Sequence, residues 1–257
     1  MPGSARIVCT GISPSSKGAL RIYQLEKEGA KEVFKDLAFG SDGIKCATFG
    51  ASRLMSGHLA IGDYAGTLSI CDLERAIGSS NMSLPQADVN CNKKAWETFT
   101  VKAHDGIINA MDGIGGTSCG AAEICTGGKD GVVKVFDPRV NHAVVTLNPD
   151  QGTSSARDCW SVTFGNSYTN DERSIIAGFD NGDIKLFDLR TNTMRWETNC
   201  KNGVTSVQFD RPDIEMNKIV ITTLESKQQM ASSPYPNERT EVQYGLPNIC
   251  PRTVMFS

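Results

Sequence analysis

The sequence predicts an all-β chain of repeated four-stranded antiparallel units, the architecture of a β-propeller. Three observations carry that expectation. A phrase of eleven or twelve residues recurs as SKGALRIYQLE at Ser16–Glu26, DYAGTLSICDLE at Asp63–Glu74, KDGVVKVFDPR at Lys129–Arg139 and FDNGDIKLFDLR at Phe179–Arg190. Each copy has a glycine turn, then an alternating apolar run, then an aromatic residue or Cys followed by a polar one. Short alternating runs bounded by Gly, Asp, Asn and Pro fill the rest of the chain, and long helical periodicity is scarce. The copies also keep step: Tyr23 to Cys71 is 48 residues and Phe136 to Phe187 is 51. That is slightly above the period of about 40–45 residues at which propeller blades repeat.

The phrase serves as the third strand of each unit. The second strand precedes it at His58–Tyr64, Ala122–Gly128 and Ser174–Asp180, and the first at Ile44–Gly50, Ile107–Gly113 and Cys159–Gly165. The fourth follows at Trp96–Lys102, Ala143–Leu147 and Met194–Thr198. Four strands joined by tight turns make one blade. Residues 1–42 then form a partial first blade, with Ala5–Gly11 as its second strand. Residues 43–102 form the second blade, 103–147 the third and 148–200 the fourth. Residues 201–226 begin a fifth, at Gly203–Asp210 and Lys218–Ser226. The second blade carries a loop insertion at 74–95, rich in Ser, Asn, Asp and Pro, and the segment Asn148–Asp158 reads as a loop between blades. Residues 227–257 carry no strand pattern followed by a blade turn and read as a poorly ordered tail. The expectation is an open arc of about four blades.

Composition narrows the function classes. With 39% hydrophobic and 21% charged residues the chain can build a core, and a net charge of -3 gives no footprint for nucleic-acid phosphates. No apolar stretch approaches the roughly 18 residues of a membrane span, and the first sixteen residues hold no signal-peptide run. Nine Cys without a C-x-x-C pair read as reduced thiols of a cytoplasmic protein, several of them on strand patterns. His58, His104 and His142 show no ligand spacing with any Cys, so no metal is expected, and no cofactor. The glycine-rich stretch Gly113–Gly116 lacks the spacing of a phosphate loop and reads as a turn. Asp63, Asp130 and Asp180 each lie within three residues of a turn glycine.

The pairs Cys71-Asp72, Phe136-Asp137 and Phe187-Asp188 resemble the Trp-Asp that ends the third strand of WD40 repeats, with Trp replaced. Ala103-His104 resembles the Gly-His that opens such a repeat. The resemblance implies a buried structural hydrogen-bond chain, and His104, Thr126 and Asp130 match its positions in one blade. Phe136 stands where the family places Trp and has no N–H to add. The physical reason for such a chain is polar satisfaction, since a buried group that loses its partner costs about 1–3 kcal/mol. His104 and Asp130 beside a Cys also fit a catalytic set, but every member falls on a position the repeat already explains, so no enzyme activity is expected.

Six further segments (Gly43–Ser52, Ile107–Gly116, Arg157–Asn166, Asp180–Arg190, Arg195–Val204 and Met216–Ser226) resemble the WD-repeat family of dynein axonemal assembly factors. The similarity spans Ala5 to Ser226. It implies a cytoplasmic, non-catalytic scaffold for protein–protein interaction, working with RuvB-like ATPases, prefoldin-like subunits and dynein chains, and with neither nucleic acid nor membrane. A generic WD40 adaptor, such as a ubiquitin-ligase substrate receptor, is the alternative. That family's propeller has seven blades; this sequence lacks the opening strand and the last two to three blades, and its text from 227 to 257 does not match. Arg157 and Asp158, at the start of an innermost strand, are candidate partner contacts. Trp96, Trp160 and Trp196 fit packing between blades better than partner hot spots.

Overall fold

A computed structural model describes residues 5–27, 29–52, 57–81, 95–115, 122–148, 157–165, 173–209 and 218–224. These residues form five antiparallel sheets in chain order. The first holds β1 (Arg6–Ile12), β2 (Gly18–Glu26) and β3 (Gly29–Phe39). The second holds β4 (Ile44–Thr48), β5 (His58–Asp63) and β6 (Thr67–Asp72), followed by helix α1 (Leu73–Asn81) and β7 (Glu97–Lys102). The third is β8 (Ile108–Gly113), β9 (Ile124–Gly128), β10 (Val133–Phe136) and β11 (Ala143–Leu147). The fourth is β12 (Cys159–Gly165), β13 (Ser174–Phe179), β14 (Asp183–Asp188) and β15 (Thr193–Asn199), and the fifth pairs β16 (Val204–Phe209) with β17 (Ile219–Thr223). Strands β4, β8, β12 and β16 touch in succession, so they line the inside of a propeller-like arc.

The core lies between sheets, and the second, third and fourth sheets bury apolar side chains on both faces. Leu20, Ile22, Phe34 and Phe39 of the first meet Ile44, Leu59, Ile61 and Trp96 of the second. Trp96 lies edge-on to Phe34 (5.5 Å, 85°) and stacks on Phe39 (5.6 Å, 24°). Leu68, Ile70 and Phe99 then meet Ile108, Ile124 and Phe136; Cys125, Val133 and Val135 meet Val162, Ile175 and Phe179; and Ile176, Ile184 and Leu186 meet Val204, Val207 and Ile221. Each such side chain taken fully out of water contributes about 1.5–3 kcal/mol. Turns into the third strands need a left-handed residue, which Gly66 (φ +85°), Gly131 (+75°) and Gly182 (+91°) provide.

Three features differ from the sequence reading or fall outside it. The insertion at 74–95 does not begin as a loop: Leu73–Asn81 is helical, and Leu73, Ala76 and Ile77, at i, i+3 and i+4, press into the core between the first two sheets. Residues 82–94 of that insertion lie outside the described residues. The first sheet gains an eleven-residue strand, β3, which strand patterning did not locate. The expectation of a poorly ordered tail at 227–257 concerns residues outside the described ones, as does most of the loop at 148–158.

Candidate functional site

His104 precedes β8 and is almost fully buried, with 1% of its surface exposed. Its Nε2 lies 2.8 Å from the hydroxyl of Thr126 on β9, and its Nδ1 lies 2.9 Å and 3.2 Å from the two carboxylate oxygens of Asp130. The carboxylate also accepts the backbone N–H groups of Asp105 (3.0 Å) and Val132 (3.2 Å). The structure thus brings all three together and ties the loop before the inner strand to the turn after the second. Burial opposes the ionised form of Asp130, but the His104 contact and the two backbone N–H groups outweigh it and hold the carboxyl below its ordinary value. Gly128 makes room for this set, since a Cβ there would sit 2.3 Å from His104 Nδ1 and 2.4 Å from Asp130 Oδ1.

The three turn aspartates are not interchangeable. The N–H following each turn glycine needs an acceptor, and two positions provide it: the residue just before the glycine (Asp130, Asn181) or the residue three before it (Asp63). Val132 donates to Asp130, Asp183 to Asn181 Oδ1 (3.0 Å) and Thr67 to Asp63 Oδ1 (2.6 Å). In the fourth sheet the work falls to Asn181 rather than Asp180. Asp63 is buried, and desolvation outweighs its backbone contacts and raises its pKa above the ordinary value.

The strand-ending pairs divide similarly. Cys71, Phe136 and Phe187 are buried between sheets. Each following aspartate closes the next turn: Asp137 accepts the Arg139 N–H (3.0 Å), Asp188 the Arg190 N–H (2.8 Å) and Asp72 the Arg75 N–H (3.1 Å). Asp72 immediately precedes α1, so the same residue type that closes a turn elsewhere caps a helix here. The Arg139 guanidinium beside Asp137 holds that carboxyl below its usual range.

The ends of the sheets where these turns gather carry a repeated backbone frame. Tyr64 N–H donates to Gly43 O (3.0 Å), Lys129 to Ile107 O (2.9 Å), Asp180 to Asp158 O (3.0 Å) and Leu224 to Gly203 O (2.9 Å). Ala103 and His104 also donate to Gly66 O and Cys200 to Gly182 O, which carries the β6–β7 and β14–β15 pairings into the rim. Arg157 is exposed and Asp158 half-buried at this rim. The Arg157 backbone lies so near Gly131 that a Cβ on the glycine would meet its carbonyl at 2.6 Å. Sequence reasoning singled out Arg157, Asp158 and, as a turn residue, Asp180, but missed Tyr64, Lys129 and Leu224, which share with Asp180 a backbone bond that residue type does not reveal.

Chemistry at the thiols is muted. Burial pushes Cys46 and Cys159 up to about 12 and Cys200 up to about 11. Among the described residues, no three His, Cys, Asp or Glu gather into a group that could hold a metal ion. No helix among them is long and apolar enough to cross a membrane.

No family model matches the chain. It is 45% identical over 230 residues to dynein axonemal assembly factor 10 of Homo sapiens, covering 88% of this chain and 58% of the relative. It is 42% identical over 229 residues to the protein of the same name from Chlamydomonas reinhardtii, again covering 88% and 58%. The Dictyostelium discoideum protein of that name is 30% identical over 255 residues, covering 90% of this chain and 63% of the relative. The chain therefore spans about 58–63% of the length of these curated relatives.

Proposed function

We propose that the chain acts in the assembly of axonemal dyneins, as a non-catalytic WD40 scaffold that binds proteins through the rim of its blades. The observation that carries this is identity of 42–45% over 88% of the chain to relatives named for that role. The rim geometry supports a binding part rather than a chemical one. His104 and Asp130, the residues most like a catalytic pair, spend their polar atoms on Thr126, Asp105 and Val132. The raised thiols leave no ready nucleophile among Cys46, Cys159 and Cys200.

The partners in this reading are RuvB-like ATPases, prefoldin-like subunits and dynein chains, met in the cytoplasm before the motors reach the axoneme. The test is removal of the protein from a cell with motile cilia, followed by quantitative mass spectrometry of isolated axonemes. Dynein arm chains should fall together, and the tagged protein should capture dynein chains and RuvB-like ATPases from the cytoplasmic fraction. Axonemes with unchanged dynein content would overturn the reading.

A further inference from the structure

Register breaks fall at matching places in two rows of strands. The inner strands break between Ile44 and Cys46, Ile108 and Ala110, Cys159 and Ser161, and Val204 and Ser206. The outer strands β3, β7, β11 and β15 break where they pass Tyr23, Cys71, Phe136 and Phe187. Among the described residues, each outer strand is paired on one side only. An open edge of this kind is a template for another strand, and charged side chains are a common guard. Three of the four carry that guard. Strand β3 has Lys31, Glu32, Lys35 and Asp36, β7 has Glu97 and Lys102, and β15 has Arg195 and Glu197. Strand β11, Ala-Val-Val-Thr-Leu, has no charge at all.

The open groups of β11 follow from its register. Gly128 N–H donates to Val132 O (3.2 Å), and bonding alternates along an antiparallel strand. Lys134 and Phe136 therefore bond to β9, while Val133 and Val135 bond to Leu147 and Val145 of β11. Thr146, between those two, turns its N–H and C=O to the open side. The register break skips Val144, and a bulge leaves its extra residue unpaired. Both side chains are exposed, Val144 at 44%. At the matching places the fourth sheet has Arg195 and Glu197.

Charge and area select the occupant. The charged groups around β11 are spent on their own sheets. Lys134, opposite Thr146, donates from Nζ to Ala103 O (2.6 Å), and Arg139 at the preceding corner binds Asp137 (2.9 Å). A charged residue set against Val144 or Thr146 finds no counter-charge, whereas a β-branched one makes a favourable cross-strand pair. A second copy is the poorer occupant. Two arcs meeting at their outer edges touch through one five-residue strand each, and the neighbouring sheets fan away from the contact. A stable interface needs about 1,000 Å² or more. A single extended segment has no such bulk and takes its affinity from main-chain bonds.

We propose that the outer edge of β11 receives an extended, uncharged segment of a partner protein, rich in Val, Ile or Thr, as an antiparallel fifth strand of the third sheet. Thr146 supplies its N–H and C=O to the segment's main chain. Val144 and Val145 pack against its side chains, one on each face. The proposal rests on reading the chain as a protein-binding scaffold and adds a contact outside the rim.

The test uses the full chain labelled with ¹⁵N at Val and Thr, and the probe N-acetyl-Thr-Val-Thr-Val-Thr-amide. The probe should slow hydrogen exchange at the Thr146 amide and shift the Val144 amide, both in a saturable way. Its fully backbone-N-methylated analogue keeps the side chains but has no main-chain donor, and it should do neither. Versions with Lys or Glu in place of both Val should bind about fivefold more weakly. Val144→Lys, at an exposed position, should weaken the probe by a similar factor of about five, while Thr98→Lys at the matching place in β7 should leave binding unchanged. No saturable effect at Thr146, an equal effect from the N-methylated or charged peptides, or unchanged binding in Val144→Lys would overturn the proposal. Protection of Thr146 that grows with protein concentration and needs no peptide would make a second copy the occupant and also overturn it. Axonemal dynein content is measured separately, so failure here leaves the scaffold reading to its own test.

Discussion

Replacing His104 with Ala tests the turn network most directly. His104 makes contacts of 2.8 Å to Thr126 and 2.9 Å to Asp130, and it is buried together with Thr126, which is fully enclosed. The substitution removes both contacts and leaves the Thr126 hydroxyl with no water to turn to. A buried group stranded in this way costs about 1–3 kcal/mol. The Asp130 side adds less, because that carboxylate is partly solvated and keeps the N–H groups of Asp105 and Val132. The emptied ring volume adds a cavity cost, so the total should be about 2–4 kcal/mol.

For a chain of this length each kcal/mol lowers Tm by about 2–4 °C, so the variant should melt roughly 5–15 °C early. Thr126→Val removes the same hydroxyl from the other side, and the double variant should lose less than the sum of the two singles by at least about 0.5 kcal/mol. Urea unfolding of the four proteins completes the cycle. Hydrogen exchange should quicken first at Asp105 and Val132, whose N–H groups depend on Asp130. A loss below about 0.5 kcal/mol for His104→Ala, or strict additivity with Thr126→Val, would refute the claim that these bonds hold the blade.

Asp130 has a folded pKa below its ordinary value of 3.8. Its contribution is therefore complete above that value and is lost as pH falls through the lower folded pKa; Asp130→Asn should flatten that acid limb in a pH series of urea midpoints. Asp63 is the reverse case, with a raised folded pKa, so its contribution is present when protonated and lost as pH rises through that pKa. Asp63→Asn keeps the acceptor for Thr67, as Asn181 does for Asp183, and should hold or raise Tm at pH 7; a fall of more than about 1 kcal/mol would count against this. Gly50→Ala should cost about 1–3 kcal/mol by overpacking, because a Cβ at Gly50 would meet the Gly113 carbonyl oxygen at 2.2 Å; an unchanged urea midpoint would contradict it. In the folded protein at pH 8, maleimide should label the exposed Cys9 and spare Cys46, Cys125 and Cys159, read by peptide mass spectrometry; rapid labelling of Cys159 would contradict its burial.

The third strands were legible because each combines a glycine turn with a buried alternating run, and both signals are local. Strand β3 was not. Its charged residues Lys31, Glu32, Lys35 and Asp36 crowd an outer strand that has only Phe34 and Phe39 fully buried. Helix α1 was hidden by composition, since Gly78, Ser79, Ser80 and Asn81 read as loop. Packing of Leu73, Ala76 and Ile77 onto the first two sheets overrides that weak propensity. The grouping of His104, Thr126 and Asp130 came from resemblance to a repeat, because 26 residues separate His104 from Asp130. The equivalence of Asp63 and Asn181 could not be read at all, since it belongs to the N–H they accept and not to their place in the phrase.

The rim shows why one frame can serve recognition without losing its fold. The bonds that fix Tyr64, Lys129, Asp180 and Leu224 are all backbone to backbone, within 2.9–3.0 Å. Such a bond makes no demand on the side chain, so the four positions carry an aromatic, a cation, an anion and an aliphatic group on the same scaffold. Stability sits one layer inward, in the apolar faces between sheets and in the acceptors that close each turn. The inner-strand bulges extend the same division of labour, because the residue expelled from the ladder has no pairing duty left to constrain it. At one such position, between Cys159 and Ser161, β12 places the half-buried Trp160.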